Sequence, residues 1–264
     1  MSATVLLLGA LGFLGAAFAG LYLVARRMDN YGIVDIAWSY AFGLLALCYA
    51  LAAPGWAVRR ALIATLALLW SLRLGTHLAV RVLRHHPVED GRYRQLRQDW
   101  AADFSRRMFG FFQLQAVSVV LLGAAFLVSC LNPSPQLHPL ELAGAALWLL
   151  AISGESLADA QLAAFRRRAA RGGQVCDVGL WRYSRHPNYF FEWLIWVAYF
   201  VFALASPWGW TAIIGPAGIL YLLLRVTGIP MTEEQSLRSR GDAYRRYQQT
   251  TSAFVPWFPR RPRA

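Results

Sequence analysis

The chain has 264 residues, of which 57% are hydrophobic and 14% aromatic, while only 15% are charged, against roughly 25% in a soluble domain. That balance argues against an ordinary cytosolic enzyme. Basic residues outnumber acidic ones 26 to 14, for a formal charge of +12, and every basic residue is arginine. Cys48, Cys130 and Cys176 are odd in number, far apart and without CxxC or Cys/His spacing, so neither a disulfide framework nor a metal site is indicated.

Residues 4–24 are apolar and uncharged up to Arg26, which at about 1.5 Å per residue suffices to cross a hydrocarbon core of roughly 30 Å. A cleaved signal peptide would put basic residues first and have a shorter apolar core. Further apolar stretches lie near 33–53, 61–80, 110–131, 138–160, 189–205 and 208–226. The expected architecture is therefore an all-α integral membrane protein with about seven transmembrane helices, read as one domain over 1–264.

With the N-terminus outside, the segments 25–32, 81–109, 161–188 and 227–264 and the C-terminus fall on the cytoplasmic side. They carry 2, 7, 6 and 7 arginines, 22 in all, against Arg59 and Arg60 outside and Arg73 and Arg225 within spans. This strong positive-inside bias assigns most of the net charge to topology and anionic lipid rather than to nucleic acid. The longer pieces, 81–109, 161–188 and 227–264, exceed what topology needs and are expected to fold over the membrane face into a binding site.

An ionisable group inside a span costs about 2.5–3.5 kcal/mol on insertion scales, so each one requires a partner, a wet cavity or a task. Asp35, Arg73 with His77, Glu155 with Asp159, and Glu192 are such groups. The pairs Arg73/His77, Glu155/Asp159 and Asn188/Glu192 are four residues apart and so share helical faces. A structural account pairs Asp35 with Arg73. A functional account uses Asp35 as an acid, since a carboxyl among apolar neighbours favours its neutral, hydrogen-bond-donating form.

The run RYSRHPNYFFEW at 182–193 gathers Arg182, Tyr183, Arg185, His186, Asn188, Tyr189 and Glu192 at the head of a spanning helix. Arginine forks and the free N–H groups of a first helical turn suit phosphate oxygens; an interfacial basic and aromatic belt is the alternative. The tail 228–259 opens with Pro230, Thr232, Glu233 and Glu234 and closes with Asp242, Tyr244, Arg245, Arg246 and Tyr247. It reads as an amphipathic surface helix whose last residues either face solvent or complete the phosphate site. No P-loop, GxGxxG after a strand, HExxH or nucleophile triad is present, which excludes soluble nucleotide-binding folds and the usual hydrolases.

Taken together, RYSRHPNYFFEW, the tail from Glu233 to Pro256 and the segment EDGRY at 89–93 resemble the steroid 5-alpha-reductase family, and more narrowly its bacterial branch, a DUF1295-like domain. The resemblance spans about residues 25–259. It implies a seven-helix membrane fold that binds NADPH between helices and cytoplasmic loops and reduces the carbon–carbon double bond of an enone lipid such as a Δ4-3-ketosteroid. It also implies a bacterial inner-membrane location and calls for no obligate protein partner.

Position by position, the resemblance sets Asn188 and Glu192 near the nicotinamide, Asp159 as a cofactor-binding aspartate and Arg166 at the 2′-phosphate, supported by Arg167, Arg168 and Arg171. Arg84 matches a basic residue of the third-helix loop. Arg73, Glu155, Arg182, Tyr183, Arg185, His186, Tyr189, Glu234, Tyr244, Arg245, Arg246 and Tyr247 complete the expected cofactor surroundings. Where the family motif has a glycine, this chain has Phe191. The family's substrate-side acid pair is a glutamate and a tyrosine; no glutamate lies in that region here, so Asp35 and His77 stand in, with Tyr40 as a further acid. Two other readings remain: an S-adenosylmethionine-dependent membrane methyltransferase, whose C-terminal half carries a related RHPxY run and paired glutamates, and a sterol-binding protein without catalysis.

Overall fold

The computed structural model describes residues 1–85, 87–168, 173–226 and 228–260. Among the described residues it is all-helical and forms no named strand. The helices are α1 (Ala3–Met28), α2 (Ile33–Ala52), α3 (Ala57–His85), α4 (Gly91–Asp99), α5 (Phe104–Leu122), α6 (Ala124–Leu131), α7 (Pro139–Arg168), α8 (Pro187–Ala203), α9 (Ile214–Tyr221) and α10 (Ile229–Thr250). Among the described residues six helical runs are long and apolar enough to cross a membrane: α1, α2, α3, the stretch Ala101–Leu131, α7 and the stretch Gly209–Thr250. The sequence suggests about seven. The difference is α8, whose 17 residues reach only about 25 Å at 1.5 Å per residue, the short end of a crossing.

The chain divides into two compact units, Met1–His138 with Ala203–Ala212 and Pro139–Phe202 with Ile213–Ala264. In the first, α2 lies along α3 and α1 along α5. Ser71 on α3 donates to the Ser39 carbonyl at 2.7 Å and accepts from the Gly43 N–H at 3.2 Å, so a small polar residue joins two apolar helices without a buried charge. Phe42 fills the seam, with ring centroids 4.7 Å from Trp38 and 5.6 Å from Trp70.

Arg59 and Arg60, the two arginines set apart by the topology count, are both tied to backbone. Arg59 is 1% exposed and donates to the carbonyls of Asn132, Ser134 and Gln136 at 3.0, 2.7 and 2.6 Å. Arg60 donates to the carbonyls of Ala50 and Ala53 at the C-terminal end of α2, where helix carbonyls lack partners.

In the second unit α7 and α8 approach at Gly144. A Cβ there would lie 2.7 Å from the Phe202 backbone nitrogen and 2.9 Å from the Ala198 carbonyl oxygen. Because the obstacle is backbone, no rotamer change relieves it. Gly144→Val is therefore expected to destabilise the protein by about 2–3 kcal/mol through overpacking, read as a lower unfolding temperature in detergent. Beyond α9 the helix widens into a π turn over Leu222–Val226, and α10 is kinked at Gly241, whose φ is 51°. α10 begins at Ile229, so Glu233 and Glu234 fall in its second turn instead of the first turn that the sequence suggests.

Candidate functional site

Among the described residues, polar side chains cluster within each unit. In the first, the four side chains of EDGRY are all partnered. Asp90 caps α4 by accepting from the Arg92 N–H at 3.0 Å and pairs with the side chains of Arg92 and Arg81. Burial alone would push the Asp90 carboxyl up, but these two arginines and the backbone N–H hold it below the usual value. Glu89, also buried, accepts from the Tyr31 N–H at 2.9 Å and pairs with Arg97 at 3.2 Å. Arg97 reaches Asp29 at 3.0 Å as well and lies over the rings of Tyr31 and Phe104.

Arg92 and Tyr93 turn to α2. Arg92 Nη2 donates to Asp35 Oδ2 at 2.7 Å and the Tyr93 hydroxyl donates to Asp35 Oδ1 at 2.7 Å. The expected partner of Asp35, Arg73, is thus replaced by Arg92. The reason is position: Asp35 sits in the first turn of α2, within reach of α4, and both its oxygens act as acceptors. This also corrects the expectation of a hydrogen-bond-donating carboxyl. Burial, then the Asp35 carboxylate, push the Tyr93 phenol well above its ordinary 10, so the hydroxyl stays protonated. Neither Arg92 nor Tyr93 is among the site residues expected from the sequence.

The other substrate-side residues are placed elsewhere. Tyr40 hydrogen-bonds Thr76 at 3.0 Å. His77 is exposed on α3, as is Arg84 near its end, and Arg73 is half-buried. Neither His77 nor Tyr40 is brought to Asp35.

In the second unit the RHPNY run is interlocked with the tail. Ser184 pairs with Ser252 in an isolated parallel bridge; the Arg185 N–H donates to the Ser252 carbonyl at 2.8 Å and the Ser184 hydroxyl to the Phe254 carbonyl at 2.8 Å. Arg185 Nε donates to Glu233 Oε1 at 2.6 Å, and its Nη1 to the carbonyls of Gln248 and Thr251. His186 Nε2 lies 3.2 Å from the same Glu233 oxygen, and Gln248 donates to Glu233 Oε2 at 2.8 Å. Burial opposes ionisation of Glu233, but the hydrogen bonds from His186 and Arg185 prevail and hold its carboxyl at about 2.

Arg185 and His186 were expected to grip phosphate. Glu233 already faces His186 and the Nε of Arg185, which leaves Arg185 Nη2 as the group of that pair still open to an anion among the described residues. Tyr189 stacks on His186 at 5.2 Å and bonds Thr232 at 3.0 Å. Tyr247 donates to the carbonyls of Trp181 and Ser184 and is a buried strut, while Tyr244 reaches Glu233 at 3.4 Å. Glu234 and Arg245 form exposed ion pairs with Arg238 and Asp242. Arg246, Arg182, Tyr183 and Arg166 are exposed, and Arg171 lies outside the described residues.

Along the α7–α8 seam the two polar faces do meet. Asn188 Nδ2 donates to Asp159 Oδ1 at 3.4 Å, and Glu192 accepts from Trp196 at 3.0 Å one turn on. Glu155 is buried on the same face of α7 as Asp159. A carboxylate can only accept, so the amide nitrogen of Asn188 faces Asp159. Its carbonyl oxygen is buried and has no hydrogen-bond partner among the described residues. Phe191 fits because α7 offers a glycine opposite it: a Cβ on Gly154 would lie 2.4 Å from the Phe191 ring.

A family model described as "Protein of unknown function (DUF1295)" matches residues 21–251. The chain belongs to the DUF1295 family. No curated protein and no solved structure matches it. The DUF1295 match covers EDGRY, the RHPNY run and all of α10, so Asp35, Arg92, Tyr93, Arg185, His186 and Glu233 lie within the family region, while Ser252 and Phe254 lie just beyond it.

Proposed function

We propose that this DUF1295 protein is an NADPH-dependent membrane reductase of the carbon–carbon double bond of an enone lipid, of the 3-oxo-5-alpha-steroid 4-dehydrogenase type. The observation that carries the reading is the orphaned Asn188 oxygen on the α7–α8 seam, since a buried acceptor without a partner calls for a ligand donor. A carboxamide N–H of a nicotinamide is such a donor, and Asp159 fixes the amide so that only its oxygen is offered. The exposed arginines 166–168 at the end of α7 supply cations for the 2′-phosphate.

Bound NADPH would supply hydride to the β-carbon of the enone. In the first unit Asp35 positions the Tyr93 hydroxyl and the Arg92 guanidinium, donors of the kind that polarise a carbonyl oxygen. Asp35 and Tyr93 together provide the carboxylate and phenol that the family resemblance asks of an acid pair, with Tyr93 in the place given to His77. Developing negative charge on the oxygen is stabilised by such preorganised donors. The arginine distribution of the sequence supports placing the loops that carry both clusters on the cytoplasmic side, where NADPH is found.

A second reading, an S-adenosylmethionine-dependent methyltransferase, is favoured by one observation. Glu233, from the paired glutamates, is locked to the Arg and His of the RHP run, so the element shared with that class is assembled as a unit. Thermal unfolding of the detergent-purified protein with each cofactor separates the two, because a ligand that binds the folded state raises its melting temperature. NADPH is expected to stabilise and S-adenosylmethionine to leave the temperature unchanged; the reverse overturns the reductase reading. Arg166→Ala is expected to reduce the NADPH shift and spare that of NADH, and equal losses would remove Arg166 from 2′-phosphate recognition.

A further inference from the structure

Residues 252–260 of the second unit form a strap that doubles back on the RHPNY turn. The Trp257 N–H donates to the Tyr183 carbonyl at 2.8 Å and the Arg260 N–H to the Thr250 carbonyl at 2.8 Å. Between strap and α10 lies a cavity of about 540 Å³ lined by Arg185, Gln248, Thr251, Trp257 and Arg260 among others. Its chemistry is two-sided. Arg185 uses Nε and Nη1 on Glu233 and on backbone carbonyls, leaving Nη2 of a side chain only 10% exposed without a hydrogen bond among the described residues. Arg260 contributes an exposed guanidinium.

At the mouth stand Trp257 and Phe258, 68% and 76% exposed, with Val255 beside them at 52%. Their strap is pinned to Tyr183, four positions before the apolar helix α8 begins. Exposed Trp and Phe next to an apolar helix suit the headgroup and upper acyl region of a bilayer, and the N–H groups of Arg185 Nη2 and of the Arg260 guanidinium suit a phosphate oxygen.

We propose that this cavity holds the phosphate of an anionic membrane phospholipid, with Trp257 and Phe258 inserted beside its acyl chains. The site is separate from the α7–α8 seam and does not depend on the reductase reading. Native mass spectrometry of the full chain in detergent, titrated with phosphatidylglycerol or phosphatidylcholine, tests it. One phosphatidylglycerol is expected to be retained in preference to phosphatidylcholine, and Arg260→Gln to weaken that retention about tenfold, the effect of losing one charge-assisted contact. Trp257→Ala is expected to weaken both lipids.

Arg107→Gln, an exposed arginine of the other unit, controls for bulk charge; an equal loss there overturns the proposal. So does equal retention of the two lipids, or displacement of the lipid by inorganic phosphate alone. The NADPH melting shift of Arg260→Gln is expected to match that of the parent, and its disappearance with lipid retention intact would reassign the cavity to the cofactor and overturn the lipid site.

Discussion

Asp35→Asn is expected to lower enone turnover on the order of 10²–10³-fold, the usual loss when a preorganised stabiliser of an oxyanion is removed, while the NADPH melting shift is retained. Asparagine is nearly the same size and keeps one acceptor, so Arg92 or Tyr93 can still bind it. What disappears is the negative charge that holds both donors at once, each at 2.7 Å. Tyr93→Phe is expected to produce a comparable loss, because it removes the phenol and leaves the Asp35–Arg92 ion pair. Single-turnover hydride transfer, followed by NADPH absorbance, is the measurement. Unchanged turnover in Asp35→Asn would remove the cluster from the chemistry, whereas loss of the cofactor shift would make its role structural.

Glu233→Gln is expected to have the largest effect on stability, about 3 kcal/mol. Removing one partner of a buried charge pair leaves the other uncompensated, and here Arg185 and His186 would both lose the carboxylate while only 10% and 3% exposed. The same carboxylate makes stability depend on acid. Its value is depressed in the folded chain, from 4.5 to about 2, so its contribution is fully present above about pH 4.5. That contribution falls away as the pH drops from there toward 2. Asp90, also held down, acts in the same direction. Melting temperature measured from pH 6 to pH 3 is expected to decline below pH 4.5 in the parent and to decline less in Glu233→Gln. Parallel curves would show that Glu233 is not the linked group.

The two clusters differ in how they could be read from the chain. The arginine and histidine of RHPNY stand out in the sequence but their carboxylate partner does not, because a cation that faces a carboxylate 48 positions away looks in sequence like one waiting for phosphate. Asp35 stands out as an acid in an apolar helix, yet its partners come from the first turn of α4, 57 and 58 positions on. Phe191, a departure from the family motif, is matched by Gly154 on the neighbouring helix, a compensation visible only when both are in place.

The sequence by itself determined that this is a helical membrane protein, where its apolar helices run, and which polar residues share a face. Those properties depend on hydrophobicity and on a 3.6-residue period, and both are local. Only the tertiary structure decided which charge answers which, that Tyr93 joins Asp35, that Glu233 neutralises the RHP turn, and that the tail folds back on it. Such pairings are set by which helix faces meet. That depends on packing at small residues such as Gly144 and Gly154, and no single stretch of sequence contains both sides of the contact.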